Sequence, residues 1–217
     1  MNEGHLGLSK PPFPIIFAAP SGAGKTSIAR GLRHRRNDVI FSVSATTRPP
    51  RAGERNGVDY HFLSEPDFRR MAADGDLLEW AEVHGNLYGT PRRNLQDAVA
   101  ANSHLVLDID VQGSRQIRQA VPDAVSIFVL PPSGNELARR LLGRGSEPEE
   151  DRRRRLRAAR EEITAVAEFE YVIVNDDLDK AVDAVEHIIA AESVRTRRLS
   201  VLSDAVARLC AGVDENL

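Results

Sequence analysis

The sequence predicts an α/β fold in which a parallel β-sheet is flanked by helices and interrupted by a polar insert. Short apolar segments alternate with helical patterns, an order typical of parallel sheets. Strands of the sheet are expected over residues 14–18, 39–44, 104–110, 125–130 and 171–174. The segment 44–90 breaks this alternation with polar loops, two short strands (59–63 and 77–83) and a helix (66–73). This segment is therefore interpreted as an insert.

Helical patterns fill the gaps between the predicted strands. Helices are expected over residues 26–35, 91–101 and 133–142, the last capped by Ser133, and a long polar helix opens within 143–155. Two more helices complete the chain. The last one is expected to carry an apolar stripe on one face, formed by Leu199, Leu202, Val206 and Leu209. The stripe could dock on its own domain, which is the favoured interpretation, or on a second subunit.

Composition sets broad limits on function. The 217 residues are 41% apolar and 28% charged, which is ordinary for one globular domain, with or without inserts. A net charge of −3 argues against a general nucleic-acid binder. The single cysteine, Cys210, excludes an intrachain disulfide and fits a reducing cytoplasm. No apolar run approaches the length of a membrane span or a secretory signal, so we expect a cytoplasmic protein without membrane contact.

The strongest local motif is a glycine-rich loop between a predicted strand and a predicted helix. It matches G-x-x-x-x-G-K-[ST] except at its first position, and it consists of Ala19, Pro20, Ser21, Gly22, Ala23, Gly24, Lys25 and Thr26. Such loops turn backbone N–H groups toward phosphate oxygens in front of a helix N-terminus. Lys25 could reach the β- and γ-phosphates of ATP, and the Thr26 hydroxyl could bind Mg²⁺. A chance glycine turn is the alternative, but the flanking strand and helix disfavour it.

Two aspartates follow the most apolar strand. Asp108 and Asp110 lie at its carboxyl end, the edge where open parallel sheets bind ligands. They are two residues apart and would share one face of an extended strand. An aspartate in this position commonly holds Mg²⁺ beside a phosphate loop. The alternative, an ordinary exit from a strand, has about equal weight when the pair is considered alone.

The insert carries groups suited to a phosphate dianion. Arg48 and Arg51 are separated by two prolines on a stiff turn, and guanidinium groups match phosphate geometry. Tyr60 could add a hydroxyl donor. Downstream, the stretch 79–90 adds a carboxylate, a second tyrosine and a threonine hydroxyl. Each of these side chains, considered alone, is equally compatible with a solvated loop.

Together these motifs resemble the guanylate kinase family. The phosphate loop is followed, in the family's order, by S-A-T-T-R-P-P-R-A-G-E, E-W-A-E-V-H-G-N-L-Y-G-T, L-D-I-D-V-Q-G, R-R-L-L-G-R-G and V-I-V-N-D-D. The resemblance covers about residues 14–190. The departures are Ala19, Leu87 (where many relatives carry tyrosine) and Pro148.

The resemblance implies an enzyme that moves the γ-phosphoryl group of ATP to GMP, or more weakly dGMP, giving ADP and GDP for GMP recycling and guanine nucleotide supply. It implies one domain over 1–217, with a P-loop NTPase-type core (13–43, 104–142 and 170–195), a GMP-binding α+β insert (44–90), a helical lid (143–168) and a C-terminal helix (196–212). A monomer and a homodimer both remain open.

The resemblance also implies roles for single residues. The GMP phosphate would be held by Arg48, Arg51, Tyr60 and Tyr88, and the guanine would be bound by Ser44, Glu79, Thr90 and Asp110. Gly89 would also belong to the GMP site. Catalytic cations would be Lys25, Arg144 and Arg155, although the choice within the run Arg152–Arg155 is open. Asp108 and Thr26 would hold Mg²⁺, and Asn175 would lie near the adenine of ATP. For Glu79 the chemistry agrees, because guanine offers N1–H and an exocyclic amine, a donor pair that adenine lacks.

Two other functions fit parts of the pattern. One is a guanylate-kinase-like domain that has lost catalysis and binds phosphorylated peptides, and the intact Lys25, Thr26 and Asp108 argue against it. The other is a related kinase acting on a sugar phosphate, and the guanine-binding set argues against that.

Overall fold

The computed structural model describes residues 7–83, 85–142 and 149–217. The β-strands are β1 Ile15–Ala18, β2 Val39–Phe41, β3 Ala45–Thr46, β4 His61–Phe62, β5 Leu77–Val83, β6 Asn86–Pro91, β7 His104–Asp108, β8 Val125–Leu130 and β9 Tyr171–Val174. The α-helices are α1 Lys25–Arg35, α2 Glu65–Ala73, α3 Arg92–Ala100, α4 Val111–Ala120, α5 Gly134–Leu142, α6 Glu149–Thr164, α7 Leu178–Glu192 and α8 Leu202–Asp214. Short 3₁₀ helices span Ala165–Glu168 and Thr196–Arg198.

The larger sheet has the order β2-β7-β1-β8-β9, and every pairing in it is parallel. The central strand β1 is fully buried and alternates between two cores. Ile15 and Phe17 pack on the face covered by α1 and α7, whereas Ile16 packs on the face covered by α3 and α4. The predicted α/β fold with a parallel sheet is therefore confirmed.

A second, four-stranded sheet has the order β4-β3-β6-β5 and lies within the predicted insert. Strands β5 and β6 form an antiparallel pair in which Glu79 opposes Thr90. This sheet has a small core of its own, in which Phe68 of α2 packs with Ala45, Leu77 and Leu87. Leu87 is buried there, so this departure from the family pattern fills a core position.

Two predicted strands need correction, and two elements of the structure were not predicted. The predicted strand 39–44 ends early, because β2 of the larger sheet stops at Phe41, and the chain enters the second sheet only at Ala45, where β3 begins. The predicted strand 104–110 ends at Asp108, because Asp110 caps α4. Strand β6 and helix α4 were not predicted, since glycine and proline in the one and Gly113 in the other weaken the local signals.

The C-terminal tail differs from the favoured interpretation. Leu199 precedes helix α8, and Val206 and Leu209 are 48% and 51% exposed. The helix buries only Ala205 among its described residues. The predicted apolar stripe therefore does not dock as a unit on its own domain. The contacts that hold the tail are made before the helix, where Arg198 donates to Glu192 and to the Asp123 carbonyl. None of the helices in the described segments combines the length and apolarity needed to cross a bilayer.

Candidate active site

The phosphate loop connects the end of β1 to the start of α1. Gly22 and Gly24 have φ angles of 86° and 92°, in the left-handed region where a side chain is strained. The N–H of Ala23 donates to the Pro20 carbonyl at 3.1 Å, which closes the turn. Among the described side chains none caps the N-terminus of α1, and its first turn contains no acid. The loop therefore presents the features of an anion site at a helix N-terminus.

The two chain segments that carry charge meet because β1 and β7 pair in parallel. Lys25 Nζ lies 2.5 Å from Asp108 Oδ1 and donates to the Ile109 carbonyl at 2.8 Å. Thr26 Oγ1 donates to Asp108 Oδ2 at 3.4 Å. The structure thus gathers the predicted lysine, hydroxyl and carboxylate at the carboxyl edge of the sheet.

Asn175 supports the loop from behind. It follows β9, is buried, and its Nδ2 donates to the Ala23 carbonyl at 2.8 Å. Arg140 Nη1 approaches the same carbonyl at 3.4 Å. The predicted adenine neighbour is therefore placed against the phosphate loop, and Arg140 is a neighbour of the loop that sequence reasoning missed.

A cavity of about 190 Å³ lies between the phosphate loop and the insert. It brings together most of the predicted site residues, since its lining includes Lys25, Ser44, Tyr60, Glu79, Tyr88, Gly89, Asp108 and Asp110. Thr90 is buried behind this lining. One cavity therefore joins the lysine and aspartate of the parallel sheet to the predicted base-binding side chains of the insert.

Glu79 is a buried ionisable group in the cavity wall, and its pKa is strongly shifted. It is 7% exposed, and its Oε1 accepts a hydrogen bond from Thr90 Oγ1 at 2.7 Å. Burial raises the pKa of Glu79 to about 7, the hydrogen bonds from Thr90 oppose this rise, and the nearby charge of Asp110 adds to it. A desolvated carboxylate in a cavity wall is a strong acceptor for a ligand that brings N–H donors.

Asp108 and Asp110 line the same cavity but make different contacts. Asp108 engages Lys25, whereas Asp110 is the N-cap of α4 and its Oδ1 accepts the Gly113 N–H at 2.7 Å. The expectation that both lie on one extended strand is wrong, because the strand ends between them. Both carboxylates nevertheless line the cavity, because α4 packs against β5.

The two arginines predicted to hold the GMP phosphate have different surroundings. The Arg48 guanidinium donates to both oxygens of Glu54, at 2.9 and 3.0 Å, and lies over the Tyr60 ring at 5.4 Å. Hydrogen bonding to Arg48 lowers the pKa of Glu54, and burial raises the pKa of the Tyr60 phenol. Arg51 is exposed, although its backbone N–H donates to Glu54 Oε2 at 2.7 Å. Glu54 is the last residue of the motif S-A-T-T-R-P-P-R-A-G-E, and the sequence predicted no role for it.

The lid region is described only in part. Arg144 lies outside the described residues. Arg155 of α6 lines a second cavity of about 510 Å³ together with Arg154, Glu162 and Ser21 of the phosphate loop. The Ser21 N–H donates to Glu162 Oε2 at 3.2 Å, a contact that the sequence did not predict. Arg153 instead pairs with Glu149 at 2.6 Å. Within the arginine run, Arg155 thus lies toward the phosphate loop, whereas Arg154 lines the same cavity but pairs with Asp151 at 2.9 Å.

Comparison with known families decides the assignment of this site. The family model described as Guanylate kinase matches residues 12–192. The chain belongs to the guanylate kinase family. A guanylate kinase from Gluconobacter oxydans is 50% identical over 194 residues, which cover 89% of this chain and 93% of the relative. One from Chelativorans sp. is 48% identical over 198 residues, 91% of each chain.

A solved structure gives the same result. The crystal structure of guanylate kinase from Anaplasma phagocytophilum aligns with a TM-score of 0.76 at 34% identity, covering 92% of this chain and 95% of the other. Guanylate kinases are nucleoside monophosphate kinases, so the predicted family, fold, enzyme class and ATP-dependent phosphorylation of GMP are confirmed. The roles of the single residues remain predictions that rest on the geometry above.

Proposed function

We propose that this guanylate kinase binds GMP in the cavity between the insert and the parallel sheet, and ATP along the phosphate loop. The observation that carries the proposal is the single cavity that joins Lys25 and Asp108 to Glu79 and Asp110. A site of this form places an acceptor nucleotide within reach of the polyphosphate of a donor. The insert (44–90) would bind GMP or dGMP, and the segment 143–168 would act as the lid.

The base would be recognised by the buried carboxylate. Thr90 holds one oxygen of Glu79, and the carboxylate can accept the N1–H and the exocyclic amine of guanine. Ser44, Gly89 and Asp110 complete the wall around the base. Adenine offers no such donor pair, so its entry would leave a buried carboxylate unsatisfied at a cost of about 1–3 kcal/mol or more.

The acceptor phosphate would be held at the other end of the cavity. Tyr60 and Tyr88 line it, and the Arg48 guanidinium stacks over Tyr60. Arg51 is exposed on the same turn and would join when the insert closes. Two guanidinium groups and one Glu54 carboxylate leave one net positive charge, which suits a phosphate dianion.

The donor side is formed by the phosphate loop. Its backbone N–H groups and the N-terminus of α1 would bind the phosphates of ATP, and Asn175 fixes the loop through Ala23. Thr26 and Asp108 supply a hydroxyl and a carboxylate side by side, the hard oxygen donors that fit Mg²⁺. Bound there, Mg²⁺ would offset the negative charge of the polyphosphate.

The chemistry then needs positioning and charge neutralisation. A phosphate oxygen of GMP attacks the γ-phosphorus in line, a new O–P bond forms, and the bond to the β–γ bridging oxygen breaks as ADP leaves. Lys25 and Arg155 would offset charge on the transferring group, together with Arg144, which lies outside the described residues. The acceptor is already a dianion, so no protein base or nucleophile is required.

The setting of the enzyme follows from its substrates. We expect it to act in the cytoplasm on the small molecules ATP and GMP, without binding nucleic acid or membrane. Both a monomer and a homodimer remain compatible with this proposal.

A coupled assay of ATP with GMP, AMP, CMP and UMP tests the proposal. We expect rapid turnover with GMP only, with ADP and GDP formed in equal amounts. Equal rates with GMP and AMP would contradict the base-binding assignment. Binding of phosphorylated peptides without turnover, or phosphorylation of a sugar phosphate in preference to GMP, would favour the two alternative functions.

A further inference from the structure

Gly113 lies at the contact between the two carboxylates of the base-binding wall. It is in the first turn of α4, and its N–H donates to Asp110 Oδ1 at 2.7 Å. A Cβ built on Gly113 would lie 3.0 Å from Glu79 Oε2, 3.3 Å from Glu79 Cδ and 3.3 Å from Asp110 Oδ1. The backbone of one helix turn therefore forms the surface on which both carboxylates rest.

The backbone of Gly113 does not itself require glycine. Its φ lies outside the positive range, unlike those of Gly22 and Gly24 in the phosphate loop. Inside a helix, glycine is less favourable than alanine because it loses more conformational entropy on folding. Helix propensity alone would therefore favour alanine here, and the contacts that oppose it are those with Glu79 and Asp110.

A methyl group at this position would act on one oxygen of Glu79 in particular. Oε1 is fixed by Thr90, while Oε2 faces Gly113. A Cβ only 3.0 Å away would displace Oε2 by a few tenths of an ångström and cover it with an apolar group. Paired hydrogen bonds to a base edge depend on both acceptor positions, so a shift of this size weakens them.

We propose that Gly113 is a specificity-determining position, whose missing side chain allows Glu79 to present both oxygens to the acceptor base. The proposal rests on the proposed function, in which Glu79 binds the N1–H and the exocyclic amine of guanine. Gly113 is a positioning residue in this scheme, because it acts through the carboxylate.

A matched control exists in the same fold. Gly134 is the first residue of α5, and a Cβ there would meet nothing within 4 Å. Alanine at either position replaces a glycine in the first turn of a helix, so the effects on helix propensity are similar. Only the substitution at Gly113 introduces a methyl group against Glu79.

The experiment compares Gly113→Ala and Gly134→Ala with the wild type, using GMP, IMP and AMP as acceptors. IMP keeps N1–H but lacks the exocyclic amine, so the GMP-to-IMP ratio of kcat/KM reports on the paired contact. For Gly113→Ala we expect the GMP KM to rise about tenfold or more and the GMP-to-AMP ratio to fall about tenfold, with a smaller fall in the GMP-to-IMP ratio because IMP shares the N1–H contact. The ATP KM and the melting temperature should stay close to those of the wild type, and Gly134→Ala should leave all values unchanged.

The possible failures are distinguishable. A wild-type enzyme that does not prefer GMP over AMP would overturn the proposed function itself. A selective wild type with unchanged ratios in Gly113→Ala would overturn the role of Gly113 alone. Loss of the fold in Gly113→Ala would also overturn it, since the proposal requires that the helix accept alanine.

Discussion

The two halves of the proposed active site differ in the partners of their main charged side chains. In the phosphate-loop half, built on the buried parallel sheet, Lys25 already pairs with Asp108, and Asn175 already holds the loop. In the insert half, built on a small sheet with a core of its own, the buried Glu79 is bonded to the neutral hydroxyl of Thr90. The lysine of the phosphate half is therefore paired before a substrate arrives, whereas Glu79 of the insert half is a desolvated carboxyl group bonded to a neutral hydroxyl.

This difference assigns different tasks to the halves. A preassembled cation and loop lower the reorganisation needed when charge develops on the transferring phosphoryl group. A desolvated carboxylate is stabilised most by a ligand that offers N–H donors in matching positions. Binding is therefore selective for such a ligand over one without these donors. We therefore expect changes at Lys25 to act on kcat with any acceptor, and changes at Glu79 to act on the choice of acceptor.

The largest effect is expected for Lys25→Ala. The variant removes the cation that sits between the loop and Asp108, so kcat should fall about a hundredfold or more. Lys180→Ala, which removes an exposed lysine of α7, is the matched control and should keep full activity. Circular dichroism and melting curves should show both variants folded. More than a tenth of the wild-type kcat in Lys25→Ala would contradict the assigned role.

A smaller effect is expected for Arg51→Ala. Arg51 is exposed and is not among the described residues that line the cavity. We therefore expect it to contact GMP only when the insert closes. The variant should raise the GMP KM and lower kcat, each about tenfold. Arg55→Ala, an exposed arginine of the same loop, should behave as wild type.

Closure of the insert can be measured directly. The radius of gyration from small-angle scattering should decrease when a bisubstrate analogue is added to the wild type. An unchanged radius, together with an Arg51→Ala effect confined to KM, would rule out the closure.

The pKa of Glu79 predicts an effect on stability with a definite sign. The folded state holds this proton up to about pH 7, whereas the unfolded chain releases it near 4.5. The free energy of unfolding should therefore fall as pH rises from about 4.5 to 7, by roughly 2–3 kcal/mol from this group. Glu79→Gln should lack this component, and Glu82→Gln, at an exposed position of β5, should keep it. Denaturant unfolding at pH 5 and pH 8 provides the comparison, and identical slopes in all three proteins would contradict the burial argument.

The smallest effect is expected in the tail. Arg198 is buried and donates to the buried Glu192 at 3.1 Å, so a chain cut before Arg198 would also lose this contact. A chain ending at Ser200 keeps it and removes α8 alone. Because α8 buries little, the free energy of unfolding should change by less than about 1 kcal/mol. Light scattering then reports on assembly, since a dimer that becomes a monomer would assign the exposed stripe to a subunit contact.

The comparison also shows what the sequence could predict. The phosphate loop and the buried strands have strong local signals, because glycine spacing and apolar runs specify them without knowledge of distant contacts. The insert was harder to predict, since strand β6 and the change from the larger to the second sheet between Phe41 and Ala45 depend on pairing across the chain. The contacts Ser21–Glu162 and Gly113–Glu79 have no local signal, because each needs the fold to bring its partners together.

The central claim is that acceptor choice resides in the buried carboxylate of the insert, and kcat/KM of Glu79→Gln with GMP and with AMP tests it most directly. We expect kcat/KM for GMP to fall by about 2–4 kcal/mol, because a carboxylate hydrogen bond in a desolvated site is lost. The value for AMP should change less than about threefold, so the GMP-to-AMP ratio should collapse. An unchanged ratio, whether both values fall equally or neither falls, would contradict the account.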